Sequence, residues 1–301
     1  MSRDLVNEAI SLNPPCQQTR RAFLRNASAT GLIGGFALAS DPVMSQAIRT
    51  NFEGLEADEI HVEENGVDLY AYMAKPANAK GPLPIVIVVS EIFGVHEHIA
   101  DMARRFAKQG YMAIAPEFFT RAGDPTSLGT IAEVMSQIVA KTPDKQVMGD
   151  ISACLSWAGK NQGNLTKVGI TGFCWGGRVT WLACAQIPQM KAGVAWYGRL
   201  VGDQSENFPL HPVDIAASLK GPVLGLYGGD DSGIPLNTVE KMRETLAQAS
   251  VLNPAAKKSL IEVYPNAPHA FNADYRASYR ADAAKDGWLK CLAWFKSNGV
   301  A

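Results

Sequence analysis

Between Pro84 and Ser90 the chain reads IVIVV. A β-branched run of this kind suits a strand buried on both faces, the environment of a parallel sheet. Parallel strands need long crossover connections, and the downstream sequence supplies them. A helical pattern runs from His98 to Gln109 and stops at Gly110, and a strand pattern follows at Tyr111–Pro116. After a loop from Glu117 to Gly129, helical patterns cover Ile131–Ala140 and Pro143–Lys160. Strand patterns recur at Lys167–Phe173, Ala192–Gly198, Pro222–Gly228 and Ser259–Pro265, with helical patterns at Gly176–Gln186 and Pro235–Ala249. Upstream, His61–Pro76 reads as two extended segments around Glu64-Asn65-Gly66, a hairpin signal. A long amphipathic helix is expected from about Tyr275 to Lys296. This rhythm predicts an α/β fold with a mostly parallel central sheet and helices on both faces.

Charge and composition narrow the function classes. Lys and Arg number 28 against 29 Asp and Glu, and charged residues make up only 19% of the 301 residues. That excludes a disordered chain and a chain-wide basic surface for nucleic acid. Adjacent Arg20 and Arg21 precede the weakly apolar stretch ASATGLIGGFALA at Ala27–Ala39. The stretch is too short for a membrane span, which needs about 20 apolar residues, so no stable span is expected in the mature chain. Positive, apolar and small-residue parts in this order read as a targeting segment at 1–47, with Ser45-Gln46-Ala47 as the cleavage site. The paired arginines resemble a twin-arginine signal, which implies bacterial export machinery as a partner and a periplasmic or secreted product. The remainder, 48–301, shows no repeat or linker after residue 60 and reads as a single domain. Cys16 lies in the targeting segment. Cys154, Cys184 and Cys291 fall in apolar helical patterns, as small buried hydrophobes do.

Chemistry-bearing residues gather where strands end. Gly172-Phe173-Cys174-Trp175-Gly176-Gly177 has the form of a nucleophile elbow, with cysteine at the reactive position. The glycines are needed because side chains would clash across so tight a turn. The helix behind Cys174 offers unpaired N–H groups and a positive dipole end, which favour a thiolate. Gly228-Gly229-Asp230-Asp231 ends another strand, and Asp231 is the candidate to orient an imidazole, with Asp230 serving the turn. His269, in NAPHAF, follows the last strand. The order Cys174, Asp231, His269 is that of nucleophile, acid and histidine in hydrolases built on such a sheet. Ser90-Glu91-Ile92-Phe93-Gly94 occupies the place of an oxyanion loop, so the Ile92 and Trp175 N–H groups are the expected oxyanion donors. Glu91 beside an apolar strand end needs a partner, either the thiol or an arginine, unless it is a capping or solvated acid. His96-Glu97-His98 lacks a third ligand at metal spacing, so no metal is expected.

Together the blocks SEIFG, GFCWGG, WYG, GGDDSGIP and PHAF resemble the dienelactone hydrolase (carboxymethylenebutenolidase) family of the α/β-hydrolase superfamily. The resemblance spans roughly Glu59 to Phe295. It implies an α/β-hydrolase fold with Cys174 as nucleophile, Asp231 as orienting acid, His269 as base and no cofactor. It also implies that Glu91 interacts with the resting thiol, and that Arg121 binds a substrate carboxylate. The family's second substrate arginine lies four residues after the histidine, where this chain has Ala273; Arg276 is the candidate to replace it. Trp196 and Tyr197 read equally as pocket lining or as core. The expected activity is hydrolysis of a small, anionic lactone or ester through an acyl-thioester. The alternatives are a broad carboxylesterase or thioesterase, and a non-catalytic binding protein in which the pocket would be closed over Cys174 or Asp231 and His269 would be too far apart to pair.

Overall fold

The computed structural model describes residues 47–301. The targeting segment expected at 1–47, and Cys16 with it, lies outside the described residues except for Ala47. Eight strands form one sheet in the order β1-β2-β4-β3-β5-β6-β7-β8. They are β1 Leu55–Glu64, β2 Val67–Pro76, β3 Leu83–Val89, β4 Met112–Pro116, β5 Gly163–Phe173, β6 Met190–Trp196, β7 Val223–Gly228 and β8 Leu260–Tyr264. β1 and β2 form an antiparallel hairpin, and β2 pairs antiparallel with β4; the remaining neighbours are parallel. The hairpin turns on Asn65 and Gly66, whose φ values of 52° and 76° suit the right-handed twist of paired strands.

The run Ile85–Val89 is completely buried in β3, as its composition requires. Helices flank the sheet: α1 Glu97–Lys108, α2 Asp144–Lys160, α3 Trp175–Gln186, α4 Leu236–Ala249 and α5 Ala281–Ser297. This is the α/β-hydrolase arrangement. Trp181, Trp196, Phe106, Phe173, Phe271 and Phe295 are the bulky members of the core. Cys154, Cys184 and Cys291 lie buried in α2, α3 and α5, and none of the four cysteines among the described residues is in a disulfide. No helix among the described residues is long and apolar enough to cross a membrane.

Two expected helices differ from the sequence reading. Ile131–Ala140 starts on a Thr130–Glu133 capping box, then widens at Val134–Ile138 and tightens at Val139–Lys141. Pro143 disfavours helical backbone at Thr142, while the Thr142 hydroxyl and the Asn207 amide donate to the carbonyls of Ile138 and Ala140. The C-terminal helix begins at Ala281, not Tyr275. Residues 270–280 form successive turns, with Ala270 at φ 60° and the Arg280 N–H donating to the Phe271 carbonyl at 3.0 Å. Buried polar contacts of Asp274, Tyr275 and Arg276 hold this segment out of the helix.

Candidate active site

Cys174 sits between β5 and α3 at φ 56°, ψ −115°, backbone that a side-chain-bearing residue adopts only under strain. Its neighbours explain why the turn cannot relax. A Cβ on Gly172 would lie 2.1 Å from the Gly176 carbonyl oxygen, and one on Gly176 would lie 2.4 Å from that of Val89. One on Gly177 would lie 2.6 Å from the Trp196 carbonyl oxygen. The elbow is thus wedged between β3 and β6 at backbone contact distance.

β7 delivers the carboxylate. Asp231 Oδ1 accepts from the N–H groups of Gly233 at 2.9 Å and Ile234 at 3.2 Å. This leaves Oδ2, which accepts from His269 Nδ1 at 2.7 Å. Asp230 is exposed and lies outside this pair. A carboxylate only accepts, so Nδ1 carries the proton and Nε2 is the nitrogen left for Cys174. Burial opposes charge on the ring, but the Cys174 sulfur and the Asp231 carboxylate more than offset it and hold His269 well above the usual histidine range. Such an arrangement is what a cysteine nucleophile would require of its base.

Ile92 and Trp175 carry the expected oxyanion donors. Trp175 is the first residue of α3, so its N–H has no partner within the helix. Ile92 lies in a turn closed by the Gly94 N–H donating to the Glu91 carbonyl at 3.2 Å. Glu117, which the sequence reading passed over, staples this loop: its carboxylate accepts from the Val95 N–H at 2.9 Å and the Phe119 N–H at 3.1 Å. An acid directly after the β4 pattern was the available signal.

Glu91 is completely buried. Burial pushes its carboxyl up, but the His96 hydrogen bond and the charges of His96, His98 and Arg276 bring it down to about 2. His96 Nε2 donates to Glu91 Oε2 at 3.1 Å. Sequence reading had considered His96 and His98 only as metal ligands; here they turn to Glu91 and to Asp274, the latter 3.3 Å from His98 Nδ1.

The proposed substrate residues fall into three settings. Arg276 is buried, its Nε donates to the Tyr275 hydroxyl at 2.9 Å, and it stacks on Phe93 and Tyr275. Its charge acts on both Glu91 and Cys174, and its Nη2 has no hydrogen-bond partner among the described residues. Tyr197, at φ 38°, meets the His269 ring edge-on at 5.2 Å, and its hydroxyl is likewise buried without a hydrogen-bond partner. Trp196 is in the core, its indole N–H donating to Thr171 Oγ1 at 3.1 Å. Arg121 is engaged elsewhere: Nη1 donates to Asp150 at 2.9 Å, and Nη2 to the Glu64 carbonyl at 3.3 Å.

Comparison with known proteins agrees with this geometry. The profile of the Dienelactone hydrolase family matches residues 69–299. A protein of Escherichia coli K12, provisionally named carboxymethylenebutenolidase, is 51% identical over 90% of this chain and 98% of its own length. One of Methylorubrum extorquens with the same provisional name is 51% identical over 92% of this chain and 94% of its own. A crystal structure from Klebsiella pneumoniae, provisionally named dienelactone hydrolase, superposes with a TM-score of 0.77 at 55% identity, covering 80% of this chain and 98% of that one. With sheet order, strained elbow and relatives in agreement, the chain belongs to the dienelactone hydrolase family and is a hydrolase of small esters or lactones.

Proposed function

We propose that the enzyme opens a small anionic lactone or ester by covalent acyl transfer to Cys174. The observation that carries this reading is the His269–Asp231 hydrogen bond of 2.7 Å, on a ring whose pKa the Cys174 sulfur helps to raise. In the resting enzyme Cys174 is only 1% exposed, so substrate entry must displace its neighbours. The thiolate then adds to the carbonyl carbon, forming a C–S bond. The resulting oxyanion is held by the N–H groups of Ile92 and Trp175. Collapse breaks the C–O bond, and the leaving alkoxide or enolate takes the proton from His269. His269 Nε2 next removes a proton from water, which attacks the thioester. The acid product leaves, and the thiolate and imidazolium are restored. Asp231 keeps the ring in the working tautomer throughout.

Arg276 is the best-placed cation for the substrate carboxylate, because its unpartnered Nη2 lies in the same electrostatic neighbourhood as Cys174. Arg121, if it also binds substrate, must first exchange Asp150 for it. Glu91 at about 2 is too weak a base to take the thiol proton. Its part is a fixed negative charge that draws Arg276 to the site. Tyr197 lines the pocket, and Trp196 supports it from the core.

The test is a panel of lactones and aryl esters, with and without a carboxylate, assayed on the full chain while intact mass follows Cys174 acylation. The expected result is a preference for anionic substrates with a transient acyl adduct. Equal turnover of neutral esters would favour a broad carboxylesterase, and turnover without an adduct would remove the thioester. We further propose, on the sequence pattern alone, that residues 1–47 direct twin-arginine export of a catalytic domain at 48–301. Replacing Arg20 and Arg21 by lysine should retain the protein in the cytoplasmic fraction.

A further inference from the structure

His96 returns onto Glu91 across the turn that forms the proposed oxyanion loop, its Nε2 3.1 Å from Oε2. The other carboxylate oxygen, Oε1, is buried and has no hydrogen-bond partner among the described residues. His96 is itself fixed by groups other than Glu91. Tyr275 meets it edge-on at 5.4 Å, and the His98 ring lies parallel at 6.2 Å. Behind these, His98 faces Asp274, which accepts from Arg105 at 2.5 Å. The charged and titratable groups acting on His96 are therefore Glu91, His98 and Arg276, with Tyr275 packed across it.

We propose that His96 is a positioning residue: its Nε2–H keeps the buried Glu91 carboxylate ionised and leaves Oε1 for the reaction site. Burial alone would raise a carboxyl in this position by several units, and the His96 hydrogen bond is the largest effect opposing that rise. Burial likewise pulls His96 below its ordinary range, while its hydrogen bond and charge interaction with Glu91 push the other way. A glutamine amide offers a donor without a titrating ring, which makes the hydrogen bond separable from the imidazole's own titration. The proposal rests on the reading that Glu91 serves the site, and the test below separates the two.

The experiment compares His96→Ala with His96→Gln in the full chain, since both lack the titrating ring and only glutamine keeps a donor. Thermal unfolding is followed from pH 5 to 8. Without a donor, the folded pKa of Glu91 rises above its unfolded value of about 4.3. Its contribution to stability is then present at low pH and lost as pH rises through the folded value. The Tm of His96→Ala should accordingly fall behind that of His96→Gln by an additional 3–6 °C or so between pH 5 and 8. In a Glu91→Gln background the gap between the two should be the same at every pH. A gap that is constant with Glu91 present, or one that still widens with Glu91 replaced, overturns the proposal.

Activity gives the second readout. Relative to His96→Gln, kcat/KM of His96→Ala for an anionic ester should be about tenfold lower at pH 5 than at pH 8, because the carboxyl is then protonated. Parallel profiles would overturn the link between His96 and turnover. If Glu91→Gln alone keeps full kcat/KM, the reading of Glu91 in the reaction fails, and the unfolding result still decides whether His96 positions it.

Discussion

The elbow at Gly172–Gly177 and the turns at Asn272–Arg280 bring side chains to one site by different means. At the elbow the backbone dictates the geometry. Atoms of three strand ends come so close that glycine is required at three positions, and Cys174 is left at a φ of 56°. In the later segment the side chains dictate the geometry. Asp274 reaches His98 and Arg105, Tyr275 packs across His96 and His98, and Arg276 stacks on Phe93 while its charge reaches Cys174. The comparison teaches that the reacting atom is placed by steric exclusion, which has few solutions. Its surroundings are placed by polar contacts, which can be rearranged piece by piece and still fold.

The sharpest break of this contrast is at the nucleophile. Cys174→Ala should lower kcat/KM by about 10⁴-fold or more while unfolding cooperatively near the wild-type temperature. Substantial retained turnover, or an acyl adduct on another residue by intact mass, would remove the assignment. Next comes the wedge. Gly176→Ala should destabilise by roughly 3 kcal/mol or more, because its Cβ would sit 2.4 Å and 2.6 Å from the carbonyl oxygens of Val89 and Ser90. Denaturant unfolding measures this, and a wild-type midpoint would show that the elbow can yield.

The later segment should respond more gently. Arg276→Ala should raise KM for anionic substrates by about 10–100-fold, the worth of a charge-assisted hydrogen bond, and leave neutral esters little changed. Arg121→Ala should raise it less, since Asp150 already holds that guanidinium. Steady-state kinetics on paired anionic and neutral esters decides between them, and a larger effect at Arg121 would move the anion site across the pocket.

The smallest effect concerns Asp150. Burial raises its carboxyl to about 6 despite the opposing charge and hydrogen bond of Arg121. A raised folded value means that its stabilisation is present at low pH and is lost as pH rises through about 6. Asp150→Asn does not titrate, so its Tm relative to wild type should improve by a few degrees from pH 5 to 8. A flat difference would mean that Arg121 fully compensates the charge.

Much of the sheet was legible because buried parallel strands leave a local mark. IVIVV names β3 without reference to any partner, and Asn65-Gly66 names the hairpin through the φ values it permits. The elbow was legible because its glycine spacing between a strand and a helix is a local pattern, although two of the clashes that require those glycines come from β3 and β6. The helix expected from Tyr275 was misplaced because its apolar spacing is matched by a folded-back segment whose partners, His98, Arg105 and Phe93, lie far away in sequence. His96 was weighed only as a metal ligand because its pairing with Glu91 is visible only once the intervening turn closes.

By itself, then, the amino-acid order determined the strand alternation, the hairpin, the strained turn bearing Cys174 and the identity of the residues able to pair as Asp231 and His269 do. Each follows from sterics or residue chemistry acting over a few neighbouring positions. Tertiary structure alone decided that Asp231 Oδ2 is the oxygen left for His269, that Glu91 is committed to His96, that Arg121 is committed to Asp150, and that Arg276 is buried against Tyr275 and Phe93. Those outcomes depend on which buried polar groups find one another. A buried charge takes whichever partner the packed chain brings within reach, and no local pattern announces that choice.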